Sequence, residues 1–262
     1  MSQATRAIPP DSAAVPPRPA MARPPGRGAT TAAKRSGRRD GAPLTRGRVI
    51  AAALAIVEAD GLSGLSTRKL GQALGCEAMS IYHHFASKRH LLDALVDAAL
   101  AGIPPPPPHL PAIGRLRDQA HAYRAMAHRH PRLYPLIAVH RLDTPTGVRL
   151  IERMLAIVAE VTADTEAAAR AFRVLGYYVT GAALDETAGY ALGPSAAEPV
   201  DDAFIARECP SLAAAAPYAK REHWDRTFAL GLDAVIAGIV DAGARSSGVA
   251  PPAPKPVIHP KR

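Results

Sequence analysis

A chain of 262 residues, 48% of them hydrophobic, is long enough to bury a sizeable core, and its net charge of +9 favours a polyanionic partner. That charge is uneven: up to Pro43 eight Arg and Lys face two Asp, so two thirds of the excess lies there and the rest is only mildly basic. The two cysteines, Cys76 and Cys209, give neither a disulfide framework nor a metal-ligand spacing. The first residues lack the apolar core of a signal peptide. No run of about 18 uncharged apolar residues is present either. The expectation is a cytoplasmic protein with no membrane-spanning helix, no metal and no cofactor.

Residues 1–43 are rich in Pro, Ala, Arg and Gly and poor in large apolar groups, so they are expected to form a disordered basic tail. Its sharper use is an arm reaching phosphates or a minor groove. A first helix starts near Thr45 and runs to Asp60, with Gly61 as its stop and Ile50, Ala53, Leu54 and Val57 in one stripe. Ser66 can cap a second helix whose apolar side is Leu65, Leu70, Ala73 and Leu74. Gly75 ends it, because glycine tolerates the left-handed position past a helix end. A third helix over residues 77–84 carries Ile81 and Phe85 inward and shows Ala78, Ser80, Tyr82, His83 and His84 on its other face. Ser87 opens a fourth, with Leu91, Leu92, Leu95 and Val96 buried, and the five prolines at 104–108 end that run.

A helical pattern resumes at Ile113, with Leu116, Ala120, Tyr123 and Ala127 on one face up to His130 and Pro131. His121, His128 and His130 are expected on the outer side, with His130 able to cap the end. Residues 148–161 are apolar over a wide arc (Leu150, Ile151, Met154, Leu155, Ile157, Val158), as in the middle of a bundle. Residues 166–190 carry Phe172, Leu175, Gly176, Val179 and Ala183 on one side. A loop with Gly193, Pro194 and Pro199 precedes a last helix over 224–241 with Phe228, Leu232, Val235 and Ile239. The pattern predicts an all-α fold: a three-helix helix-turn-helix domain over 44–102, a larger helical domain over 109–245, and a loose tail over 246–262.

Two short helices around a tight glycine turn make a helix-turn-helix, whose second helix fits the DNA major groove. Here the run Ser66-Thr67-Arg68-Lys69-Leu70, then Ser80-Ile81-Tyr82-His83-His84-Phe85, Lys88-Arg89 and Leu91-Leu92-Asp93-Ala94-Leu95 resembles the DNA-binding domain of the tetracycline-repressor (TetR) family. The likeness runs without a gap from 65 to 95; later stretches resemble the family's ligand-binding half more loosely. It implies a homodimeric repressor, released from a palindromic operator by a small-molecule ligand. A regulator without a ligand, and an activator, stay open. A helical enzyme is opposed by the lack of HExxH, of a phosphate-cradling glycine loop and of a nucleophile elbow, so no catalytic residue is expected.

By position, the resemblance implies phosphate contacts from Thr67, Ser80, Tyr82, His84 and Lys88, and a guanine contact from Arg68. His83 matches a groove-facing position. Ala78 and Met79 stand where tetracycline repressors carry glutamine and proline, so Ala78 has only a methyl contact to offer and a different operator is expected. Neighbouring His83 and His84 point about 100° apart on a helix and make a poor metal site. For the effector, the candidates are Gln119, Tyr123, His140, Thr144, Tyr178 and Asp185. By a loose alignment, His140 and Asp185 fall where tetracycline repressors hold a magnesium-bound drug, and Gln119 near a drug-contacting amide. A drug-binding histidine expected earlier has no counterpart, since the prolines occupy that region, so tetracycline is not expected. Dimer contacts are implied for Phe172, Gly176, Val179, Ala183, Phe228, Leu232, Val235 and Ile239 on the last two long helices.

Overall fold

Thr45 accepts a hydrogen bond from Arg48 N and so starts α1, Arg46–Gly64, in which Gly61 at φ +74° interrupts the helical backbone. These elements belong to a computed structural model that describes residues 43–140, 142–189 and 196–246. All but the last residue of the expected basic tail, the end of the helix expected over 166–190, the loop at Gly193 and Pro194, and most of the second tail lie outside them. Among the described residues every regular element is a helix.

Ser66 caps α2, Thr67–Leu74, by accepting from Lys69 N, and Gly75 at φ +65° closes it in the left-handed conformation. The turn is tight: a Cβ on Gly71 would sit 2.8 Å from the Cys76 carbonyl oxygen. The third helix, α3, is only Ala78–Tyr82, shorter than the 77–84 expected, and His84 and Phe85 follow in a turn. Ser87 caps α4, Lys88–Ala101. Val49, Ala53, Val57, Leu70, Ile81, Phe85, Leu91 and Leu95 meet in one core, so α1 to α4 share a single apolar centre. Ile50, Leu54 and Leu92 are only partly buried at its edge, and Ala73 faces solvent.

After the prolines come α5, Ala112–Arg129, α6, Tyr134–Val139, α7, Pro145–Ala159, and α8, Thr165–Ala188. Two short helices, α9 (Asp202–Glu208) and α10 (Pro210–Ala215), and two 3-10 turns lead to α11, Trp224–Ser246. A second core collects Leu116 and Ala120 of α5, Ile157 and Val158 of α7, Leu175 and Val179 of α8, and Phe228, Leu232 and Ile236 of α11. The stretch Arg221–Arg245 has the length and composition of a membrane-crossing helix. Phe228, Leu232, Ile236 and Ile239 nevertheless pack into the helical body at one side of α11.

Tyr123 of α5 and Met154 of α7 pack against both cores, and polar contacts tie α4 to the larger helical part. Asp93 and Asp97 of α4 receive His140 Nε2, at 3.0 Å, and the Thr144 hydroxyl. Arg129 donates to the Gly102 carbonyl at 3.2 Å, and Arg132 donates to the Ala59 carbonyl. The corner after α5 therefore grips both the end of α1 and the length of α4.

Candidate functional site

The α2–α3 turn sets the first constellation. Thr67, Tyr82 and Lys88 line one shallow groove with Ser66 and Ser87, so two caps and three of the expected phosphate contacts come together at the mouth of the helix-turn-helix. Lys88 Nζ donates to the Leu65 carbonyl at 3.0 Å, which fixes its stem and leaves further N–H donors. Arg68 and His83 are exposed, Met79 is 69% exposed, and Ala78, Ser80 and His84 are half-buried along α3 and just after it. Sequence reasoning missed Arg46. Its guanidinium donates to the His84 carbonyl at 3.1 Å and lies 4.3 Å over the Phe85 ring, bracing the end of α3 from α1. Lys69, beside Arg68 on α2, pairs with Asp60.

The second constellation is an apolar cavity of about 140 Å³ between α5, α7 and α8. Gln119, Ala120 and Tyr123 line it from α5, Leu150, Ile151 and Met154 from α7, and Phe172, Leu175, Gly176, Val179 and Thr180 from α8. Ile103, just beyond α4, and Leu142 complete the wall. Of the six residues expected to meet a ligand, Gln119 and Tyr123 are there. His140 and Thr144 are turned to the carboxylates of α4, and Thr144 also caps α7. Tyr178 stacks on Phe228 at 5.5 Å and donates to the Phe228 carbonyl at 2.7 Å; it fills the seam with α11 so closely that a Cβ on Gly231 would meet its hydroxyl oxygen. Asp185 is exposed on α8 and absent from the wall. Among the described residues no group of three His, Cys, Asp or Glu has the arrangement of a metal site.

The Tyr123 hydroxyl is engaged by Tyr134 and Thr180, and burial pushes its phenol above the ordinary range. Gln119 is 2% exposed; its Nε2 donates to the Pro104 carbonyl at 2.9 Å while its Oε1 is buried without a partner.

The expected dimer contacts need the same correction. Val179, Ala183, Phe228, Leu232 and Ile239 are buried inside the protomer, Val235 packs against the same core, and Phe172 and Gly176 belong to the cavity wall. The main apolar stripe of each helix was taken up by its own chain. Outward on these helices stand Val174, Tyr177 and Leu230 instead. Of the histidines of α5, His121 is exposed as expected and His130 is the residue that ends the helix, whereas His128 is half-buried. His128 meets Glu186 at 2.7 Å, and His121 lies against the Phe228 ring. Glu186 and Asp225 also hold Arg124, at 2.6 and 2.8 Å. Burial works against the Arg124 charge, but the two carboxylates outweigh it and hold the guanidinium above its ordinary range. Their arginine in turn draws Asp225 below the usual carboxylate range.

A helix-turn-helix joined by one long helix to an apolar, ligand-sized cavity defines a DNA-binding regulator that answers to a small molecule. Residues 49–95 match the family described as bacterial regulatory proteins, tetR family, and residues 107–242 match the tetracyclin repressor-like C-terminal domain. The chain is similar to the tetracycline repressor protein class A from transposon 1721 of Escherichia coli, 30% identical over 198 residues that span 73% of this chain and 88% of that one. A possible TetR family transcriptional regulator from Streptomyces coelicolor A3(2) superposes with a TM-score of 0.63 at 27% identity, covering 74% of this chain and 98% of that one. ActR from Streptomyces coelicolor, solved in complex with actinorhodin, gives a TM-score of 0.61 at 28% identity, with 77% and 100% covered. The chain belongs to the TetR family. It is a ligand-responsive, DNA-binding transcriptional repressor, of a class that regulates and does not catalyse.

Proposed function

We propose that the protein acts in the cytoplasm as a homodimer, which leaves a palindromic operator when a small molecule fills the cavity. Phosphates are held by Thr67, Ser80, Tyr82, His84 and Lys88, and base edges are met by Arg68, Ala78, Met79 and His83. The observation that carries the reading is the course of α4. It begins at Lys88, in the groove of the helix-turn-helix, and Ile103, two residues past its end at Ala101, lines the cavity. Fourteen helical residues make a rod of about 21 Å, so a change of the cavity wall moves the DNA-reading helices as a body. Two such heads read both half-sites only when their recognition helices lie about 34 Å apart. A ligand that favours another spacing empties the operator, to the extent of its preference between the two states.

Selection of bound duplexes from a random pool tests the reading, with Tyr82→Ala as control. A palindromic consensus with half-sites about one turn apart, lost in the variant, is the expected result. Unenriched duplexes, or equal binding by the variant, would reject it.

A further inference from the structure

Most carboxylates of the DNA-reading head are already committed. Glu58, Asp93 and Asp97 meet Arg132 N, His140 and Thr144 of the larger helical part, and Asp60 holds Lys69. Arg46, Arg68 and Lys88 are exposed and pair with no carboxylate among the described residues. The arginines of the larger part behave otherwise: Arg115, Arg117, Arg124 and Arg170 pair with Glu160, Asp233, Glu186 and Glu166, respectively. Arg68 and Lys88 have their use in the expected DNA contacts. Arg46 has none so far.

Helix stability does not account for its place. A cation in the first turn opposes the helix dipole, and α8, α9 and α11 carry Glu166, Asp202 and Asp225 there instead. What the structure does with Arg46 is aim it. Nη1 donates to the His84 carbonyl at 3.1 Å, and the guanidinium carbon lies 4.3 Å from the centre of the Phe85 ring. Phe85 is buried, so its ring is a fixed platform. A planar fork held at one edge and one face loses little freedom on taking a further acceptor, and most of its N–H donors remain. The bond also sets that fork beside His84, one of the expected phosphate contacts. Lys88 is held in the same manner, by the Leu65 carbonyl at 3.0 Å.

From these observations we infer that Arg46 is a further phosphate contact of the operator, delivered from α1 and aimed by Phe85 and the His84 carbonyl. The other phosphate contacts come from α2, α3, the turn after it and α4, so this one brings the remaining helix of the head onto the DNA backbone. It adds affinity without sequence preference. This rests on the reading of α2, α3 and the start of α4 as the DNA-facing side.

Titration of the selected operator with full-length protein, over about 50 to 200 mM salt, tests it. Each neutralised phosphate contributes a slope of about 0.9 to log K against log salt. In Arg46→Met, which keeps an apolar stem over Phe85, the slope is expected to fall by about 0.9 per head while the selected consensus stays the same. Arg46→Lys keeps the charge and is expected to keep the parent slope. Arg48→Met removes an equal charge two residues along α1 and is expected to change the slope by less than half as much. Ethylation interference gives a second reading: one phosphate per half-site whose ethylation weakens the parent is expected to lose its effect in Arg46→Met. Arg46→Gln repeats both measurements if the Met variant does not fold. An unchanged slope, an equal fall in Arg48→Met, an altered consensus, or an ethylation pattern identical to the parent's would each overturn the inference. If the parent selects no duplex, the DNA-facing reading fails and takes this contact with it; with selection intact, an unmoved slope rejects the Arg46 contact alone.

Discussion

Tyr82, Tyr123 and Tyr134 carry the same phenol into three environments. Tyr82 sits half in water at the lip of the helix-turn-helix, where its hydroxyl is available to a phosphate. Tyr134 is fully buried against Tyr123, edge to face with ring centres 6.0 Å apart. Burial pushes the Tyr134 phenol far above its ordinary range, and Tyr123 beside it pushes in the same direction. Tyr123 itself is raised by burial. The consequence for stability has a definite sign. In the unfolded chain these phenols ionise near pH ~10, whereas the folded chain keeps their protons. Above that pH the folded state binds more protons than the unfolded one, so stability is complete below pH ~10 and is lost as pH rises further. An alkaline titration that follows phenolate absorbance and helical circular dichroism together should show the last tyrosines ionising only as the helices melt. In Tyr134→Phe the alkaline midpoint should move upward. Full ionisation with the helices intact would contradict this account.

At the scale of the helix, backbone demands are met by single residues, and those were the most legible features of the sequence. Ser66 and Ser87 start helices, and Gly75 stops one with a positive φ, because cap chemistry is local and leaves a local mark. The short α6 and α10 have no side-chain cap, and α9, although Asp201 caps it, buries no residue, so each lacked one of the two marks, cap or apolar period, that announce a helix. Apolar stripes on α8 and α11 were legible, but a stripe does not say whether its own chain or a second one covers it. The cavity was hidden for a related reason: Leu150, Ile151 and Met154 read as core, since a wall and a core are made of the same side chains. His140 and Thr144 pair with α4 residues 47 positions earlier, a separation that no local pattern records. The α2–α3 turn gives the prediction at this scale. Gly75→Ala places a Cβ at a positive φ but in open space, and should cost about 1 kcal/mol. Gly71→Ala drives its Cβ to 2.8 Å from the rigid Cys76 carbonyl oxygen, and should cost more, on the order of 2 kcal/mol. Urea unfolding ranks the two; the reverse order would mean that the turn yields more easily than its backbone contacts imply.

For the molecule as a whole, the exposed sides of α8 and α11 remain to be covered. Tyr177 is 68% exposed and Leu230 is 74% exposed, and Val174 stands one helical turn before Tyr177. Gly181 and Gly238 lie exposed on the same helices with open space around them, so another helix can come close there. Large apolar groups that a lone chain leaves in water, beside small residues that admit a neighbour, suit the self-complementary patch of a two-fold dimer. Leu230→Glu separates that arrangement from a monomer. In a two-fold interface the substitution acts on both copies at once, placing two carboxylates in a region that had excluded water. Sedimentation should then report monomers at concentrations where the parent is dimeric, and operator affinity should fall because one head reads one half-site. On a free surface the same substitution changes stability by no more than about 0.5 kcal/mol and leaves mass and operator binding as they were. That second outcome would place the interface elsewhere on the chain. The first would make the outward side of α11, and not its buried stripe, the element that holds the two DNA-reading heads in register.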